Sequence, residues 1–207
     1  VAARDDLRVV DTCMDIFEWG GERNPGVGAR PFLLKLKDRS EYLIKTGRNF
    51  QLSTASLDAL PGDVGLMNSM LTKVHALYSD DGLPIYDSRV AVAIATLVEL
   101  WRRNQGPYVP LPEILRFPAT YPDRQVVDVF SDAPSHGVLS VKTKNSRLKE
   151  WTQSIVRLGW IMEEVLARTN WFKGSEDDPT SQRDRMHALE ACLFMIGYDI
   201  RCMSKAI

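Results

Sequence analysis

DDGLPIYDSRVAVAIATLVELW, residues 80–101, is the stretch on which the reading of the chain turns. A turn cluster of Asp, Gly and Pro leads through an apolar link to one acid, Asp87, and then into a long amphipathic run. Val90, Ile94, Leu97, Val98 and Trp101 recur at helical spacing, which predicts a helix over 88–104. Arg102 and Arg103 fall in its last turn, where cations complement the helix dipole. Asp87 then stands at the helix mouth and has two readings. It is a cap whose carboxylate accepts the free N–H groups of the first turn, or a catalytic carboxylate held there. Ser88 offers the same capping chemistry one residue on.

Working outward, STASLDAL (53–60) predicts a short helix opened by a Ser or Thr cap, PGD (61–63) a tight turn, and VGLMNSMLTKVHALY (64–78) a second helix. Leu66, Met70, Val74 and Leu77 would share one face of that second helix. Toward the N-terminus, Leu7, Val10, Met14 and Phe17 predict a helix over 4–18. GGERNPGVG (20–28) ends it and reads as a connector, lacking the GxxxxGK[ST] phosphate-loop pattern. PFLLKLKDRSEYLIK (31–45) alternates like a strand at Phe32, Leu34 and Leu36. Its length and the set Leu33, Leu36, Leu43 and Ile44 favour one helix.

Toward the C-terminus, residues 105–140 are rich in Pro, Gly, Asp and Ser, with one short helix expected at 112–117. A stretch this long with little regular structure reads as a functional loop or a boundary between lobes. Two long helical patterns follow, at 146–168 and 181–203, joined by a polar connector. The expected fold class is all-α. One helical domain spans 1–207, with two lobes as one arrangement: about 1–104 and 141–207 on either side of the 105–140 loop.

Composition narrows the function classes. At 207 residues the chain can bury a full core, and 44% hydrophobic with 26% charged residues is ordinary for a globular protein. With a formal net charge of -1 there is no global basic field, so nucleic acid would have to be held by a local patch. No apolar run approaches a membrane span, and the first residues lack the layout of a signal peptide. The expectation is a soluble, cytoplasmic protein with no membrane partner. Cys13, Cys192 and Cys202 and the three histidines are dispersed, so no metal or iron–sulfur cofactor is expected, and the cysteines read as buried thiols.

The order LPGDVG (60–65), helix, apolar link, PIYDSRVA (84–91) resembles the helix-hairpin-helix DNA glycosylases. In that family an LPGVG hairpin precedes a helix, and a VD[ST]HVxR-like segment then holds the catalytic Asp at the next helix mouth. The form PIYDSRVA is similar to divergent bacterial glycosylase-like proteins related to the oxidised-guanine branch. The resemblance covers roughly residues 53–104. It implies a two-lobed glycosylase fold, DNA as partner, and hydrolytic removal of a damaged or modified base, with Asp87 as the catalytic carboxylate. It also implies phosphate-facing backbone at Gly62, Val64 and Gly65, an array that needs no net positive charge.

An extruded base would be held by aromatic side chains, for which Tyr86, Trp101 and Tyr108 stand nearby in sequence; they read equally as core. Two departures matter. Asp63 is an extra acid inside the hairpin, and no lysine follows it directly, since Leu66, Met67 and Asn68 occupy that region. Base removal by water without strand cleavage is therefore expected. Lys73 reads as a solvated lysine, a salt-bridge partner or a phosphate contact, and Arg89 joins it as a DNA-binding candidate.

Further signals are weaker. KTKNSRLK (142–149) supplies Lys142 and Lys144 to a solvated basic face or a DNA-backbone patch. His136 reads as a surface loop histidine, and Glu163 and Glu164 as solvent-facing. The Trp- and Met-rich final helices read as core, or as a face shared with a protein partner. The alternative to an enzyme is an inactive helical nucleic-acid-binding or protein-interaction subunit of a bacterial complex, one guarding against foreign DNA.

Overall fold

The described residues form seven α-helices: α1 (Ala2–Trp19), α2 (Ala29–Lys35), α3 (Arg39–Phe50), α4 (Ser69–Tyr78), α5 (Ser88–Gln105), α6 (Lys144–Arg168) and α7 (Gln182–Ile196). This computed structural model describes residues 2–106, 109–118 and 144–206, with side chains described for 6–106, 109–118 and 147–203. Among the described residues there is no strand, so the class is all-α. No described helix is long and apolar enough to cross a membrane.

Side-chain caps set where several helices begin. Asp38 accepts from Glu41 N–H at the start of α3, Asn68 from Met70 and Leu71 at α4, Asp87 from Arg89 and Val90 at α5, and Ser181 from Asp184 at α7. Each oxygen takes up donors that the first turn leaves without helical partners.

Three boundaries differ from the sequence expectation, each for a local reason. The run 31–45 is two helices, because Leu36 turns to extended backbone and Asp38 caps a new start. Asp6 Oδ1 then takes Arg39 N–H at 2.6 Å, while its Oδ2 meets the Arg39 guanidinium at 3.0 Å, tying α3 to α1. The helix expected over 64–78 begins only at Ser69, since Gly65 sits at φ 69°, outside helical space. The run 181–203 breaks at Gly197 and resumes as a 3-10 helix, Ile200–Ala206. The short helices expected at 53–60 and 112–117 are single 3-10 turns, Leu57–Ala59 and Glu113–Leu115.

One hydrophobic cluster gathers residues from all seven helices, with Phe17, Leu33, Phe50, Leu71, Val90, Ile155, Met162 and Met186 among them. α5 lies at its centre, buried continuously from Val90 to Thr96 and packed most closely on α7. Its buried side is wider than the expected stripe, and Leu97 and Trp101 fall outside it, exposed. Among the cysteines only Cys13 is buried, and burial pushes its thiol up to about 11; Cys192 and Cys202 are exposed. Glu164 is exposed beside Arg168 as expected, whereas Glu163 is half-buried and its carboxyl is raised by that burial.

Candidate functional site

Asp87 makes two kinds of contact, a helix cap through one oxygen and an ion pair through the other. Oδ1 accepts the N–H groups of Arg89 at 2.9 Å and Val90 at 3.2 Å, closing the first turn of α5. Oδ2 faces the Lys73 ammonium at 3.7 Å. Both residues are nearly buried, Asp87 at 8% exposure and Lys73 at 7%. Capping holds the carboxylate by one edge and leaves the other aimed at a neighbouring charge.

Of its sequence readings, Lys73 is the salt-bridge partner and not the solvated lysine, because it is nearly buried. It lies on α4, one of whose faces turns toward α1, and Nζ donates to the carbonyl of Ser69 at 2.9 Å. Burial lowers its pKa from the ordinary lysine value, with Asp87 and Glu190 opposing that shift. An amine so placed gives up its proton more readily than a solvated one, which is the first requirement of a lysine nucleophile.

These groups line a cleft of about 920 Å³. Its walls come from the end of α1 and the following loop, the N-terminal ends of α4 and α5, and α7. The loop is GGERNPG, read from sequence as a connector. Its Glu22 pairs with Arg30 at 3.0 Å through Oε2, while Oε1 is buried without a hydrogen-bond partner. Gly20 is needed where the loop passes over the lysine, because a Cβ there would press on Lys73 Cδ and Met70 Sδ. From α7, Glu190 enters the cleft; its Oε2 accepts Ile85 N–H at 3.3 Å and lies 3.6 Å from His187 Nδ1.

Arg89 lines the same cleft, and its guanidinium lies over two rings, one from α7 and one just beyond its end. The Phe194 centroid is 4.4 Å away and that of Tyr198 is 4.0 Å. Gly197 makes this possible, since a Cβ at that position would overlap the Arg89 carbonyl. Arg89 therefore stands beside Asp87 as the resemblance implied, but its orientation depends on residues a hundred positions downstream.

Other expected site residues lie elsewhere. Tyr86 is fully buried and does not line the cleft; its hydroxyl donates to Pro118 O at 3.1 Å and its carbonyl accepts from Trp151 Nε1 at 3.0 Å. It is a strut of the core, not a wall of a base pocket. Trp101 is exposed at the far end of α5, twelve residues from Arg89 and so roughly 18 Å along the axis.

The hairpin does not line the cleft either. Val64 is buried, its N–H donates to Pro61 O at 3.1 Å, and its carbonyl accepts from the Tyr42 hydroxyl at 2.9 Å. That peptide faces inward and has no donor left for a phosphate. Gly62 and Gly65 have positive φ and pack beside Asn49 and Phe32 respectively. Asp63 points outward to an exposed pair with Lys45 at 3.0 Å.

Lys142, Tyr108 and His136 lie outside the described residues, as does the side chain of Lys144, whose backbone starts α6. Among the described residues no three His, Cys, Asp or Glu side chains come together to hold a metal ion.

The residues missed from sequence are Trp19, Glu22 and Glu190. All three line the cleft, and Trp19 is 67% exposed at the end of α1. An exposed tryptophan next to paired glycines was the available signal, but nothing local said what it would face. No family model, curated protein or solved structure matches the chain.

Proposed function

We propose that the protein is a DNA glycosylase-like enzyme that cleaves the N-glycosidic bond of a damaged or modified base, with Asp87 as the catalytic carboxylate. One observation carries the reading: a nearly buried acid at a helix mouth, fixed through one oxygen and free to act through the other, 3.7 Å from a buried lysine on a cleft wall. As a base departs, positive charge grows on the sugar, and a preorganised carboxylate in a site poor in water stabilises that charge. The order of hairpin, helix, link and acid along the chain supports the same reading.

Lys73 changes the chemistry expected from sequence. Removal by water remains open to Asp87, yet an amine is also at hand without the lysine next to the hairpin. Attack by the deprotonated amine at the anomeric carbon would break the bond to the base, which leaves with a proton, and would hold the sugar covalently until hydrolysis or strand cleavage. The aldehyde of an abasic site would test this directly.

One observation favours the other reading, an inactive nucleic-acid-binding or protein-interaction subunit. The Val64 peptide faces inward, so the hairpin loses one of its expected phosphate contacts. The deciding experiment is base release from duplexes carrying oxidised, alkylated, deaminated or hypermodified bases, with abasic sites revealed by alkali. Release by wild type and not by Asp87→Asn supports the enzyme. Binding of DNA with no release by either supports the subunit.

A further inference from the structure

We propose that Trp19 and Arg89 form a two-point subsite for a single unstacked nucleotide, the indole taking the base and the guanidinium edge its phosphate. This deepens the glycosylase reading by naming what enters the cleft, but it rests on different residues. Trp19 ends α1 with 67% of its surface exposed, and that surface borders the cleft. Its neighbour Gly20 lies close to the stem of Lys73, and Trp19, Lys73 and Arg89 line the same cleft. A large aromatic left in water beside charged groups presents a flat apolar face, and a nucleobase matches such a face whatever its identity.

Arg89 supplies the complementary half. Its guanidinium carbon lies over the rings of Phe194 and Tyr198, 4.4 and 4.0 Å from their centroids, which holds the group in place. Ring stacking leaves the in-plane N–H groups unused, and they form the fork that matches a phosphate. Of the cations lining the cleft, Lys73 faces Asp87 and Arg23 is exposed on the loop, whereas Arg89 is held against two rings, so Arg89 is the cation positioned in advance for an incoming anion. A base paired within a duplex offers no free face to Trp19. The subsite therefore selects nucleotides out of the stack, in a single strand or extruded from a duplex.

Tryptophan fluorescence of the full chain, titrated at fixed salt with a short single-stranded thymidine oligonucleotide, its matched duplex, or thymidine monophosphate, tests this. The single strand should quench saturably and bind more tightly than the duplex. Weak saturable quenching by the monophosphate is expected as well. Trp19→Leu should lose about tenfold to a hundredfold in affinity for the single strand, read by an independent label, with Trp19→Phe retaining most of it. Arg89→Gln should flatten the salt dependence by about 0.7 in slope, the share of one phosphate contact. Absence of saturable binding by wild type, or unchanged affinity in folded Trp19→Leu, overturns the proposal. Base release failing while this binding persists removes the chemistry and leaves the subsite. Base release persisting without Trp19-dependent binding removes the subsite alone.

Discussion

Asp87 Oδ2 lies 3.7 Å from Lys73 Nζ while Asp87 Oδ1 is spent on two backbone N–H groups of its own helix. The cap and the ion pair are therefore separable by substitution, because an amide can replace one function and not the other.

Asp87→Asn keeps a capping oxygen and should leave the cap's contribution within a few tenths of a kcal/mol, since Asn caps as well as Asp. Base release should fall by at least about a hundredfold. Asp87→Ala should additionally lose about 1 kcal/mol of stability with the cap. Urea denaturation and base release measured on both variants separate the roles. Normal release by Asp87→Asn would leave Asp87 as a cap only.

Lys73 should form a covalent adduct with a duplex carrying an abasic site when borohydride is present, and Lys73→Gln should form none. Because burial lowers the pKa of this amine, trapping should reach its plateau at a lower pH than an exposed lysine requires. A gel assay across alkaline pH checks both points. An adduct that persists in Lys73→Gln would assign the chemistry to another amine.

His75 makes the fold sensitive to acid. It is fully enclosed near Tyr42 and Phe50, and burial lowers its pKa from 6.5 to about 4. The unfolded chain takes up a proton near pH 6.5 that the folded chain refuses until about 4. Stability is thus complete above 6.5, falls as pH drops toward 4, and is level below, a loss on the order of 3 kcal/mol. Denaturant unfolding at pH 7 and 4.5 should show it, and His75→Leu should remove most of the difference.

Gly197→Ala should cost about 1–3 kcal/mol, because the added methyl meets the Arg89 carbonyl and the helices must part. Parting them also withdraws Phe194 and Tyr198 from the Arg89 guanidinium. Chemical denaturation together with DNA affinity checks the coupling. Lost stability with unchanged affinity would mean that the aromatic clamp does not orient the arginine.

Much of the helical order was legible because periodicity and caps are local. The apolar repeat of α5 and the acid before it were visible in twenty residues, and so was the double reading of Asp87. The site was only half legible. Lys73 looked solvated because a lone lysine in a helical run carries no sign of what covers it; here the loop after α1 and Glu190 do. Glu190 meets Ile85 across 105 positions, a distance no spacing rule spans. Tyr86 and Trp101 were chosen for nearness in sequence, yet one turns into the core and the helix carries the other away from the cleft. GGERNPG showed where a helix stops. Its composition held no hint that it becomes a wall.

Burial lowers the basicity of Lys73 and the nearby Arg89 charge adds to that, while Asp87 and Glu190 oppose it. These groups come from positions as far apart as 73 and 190. A chain that has not yet packed α4, α5 and α7 together carries an ordinary solvated lysine at position 73. The shifted amine is a property of the assembled fold and not of the local sequence.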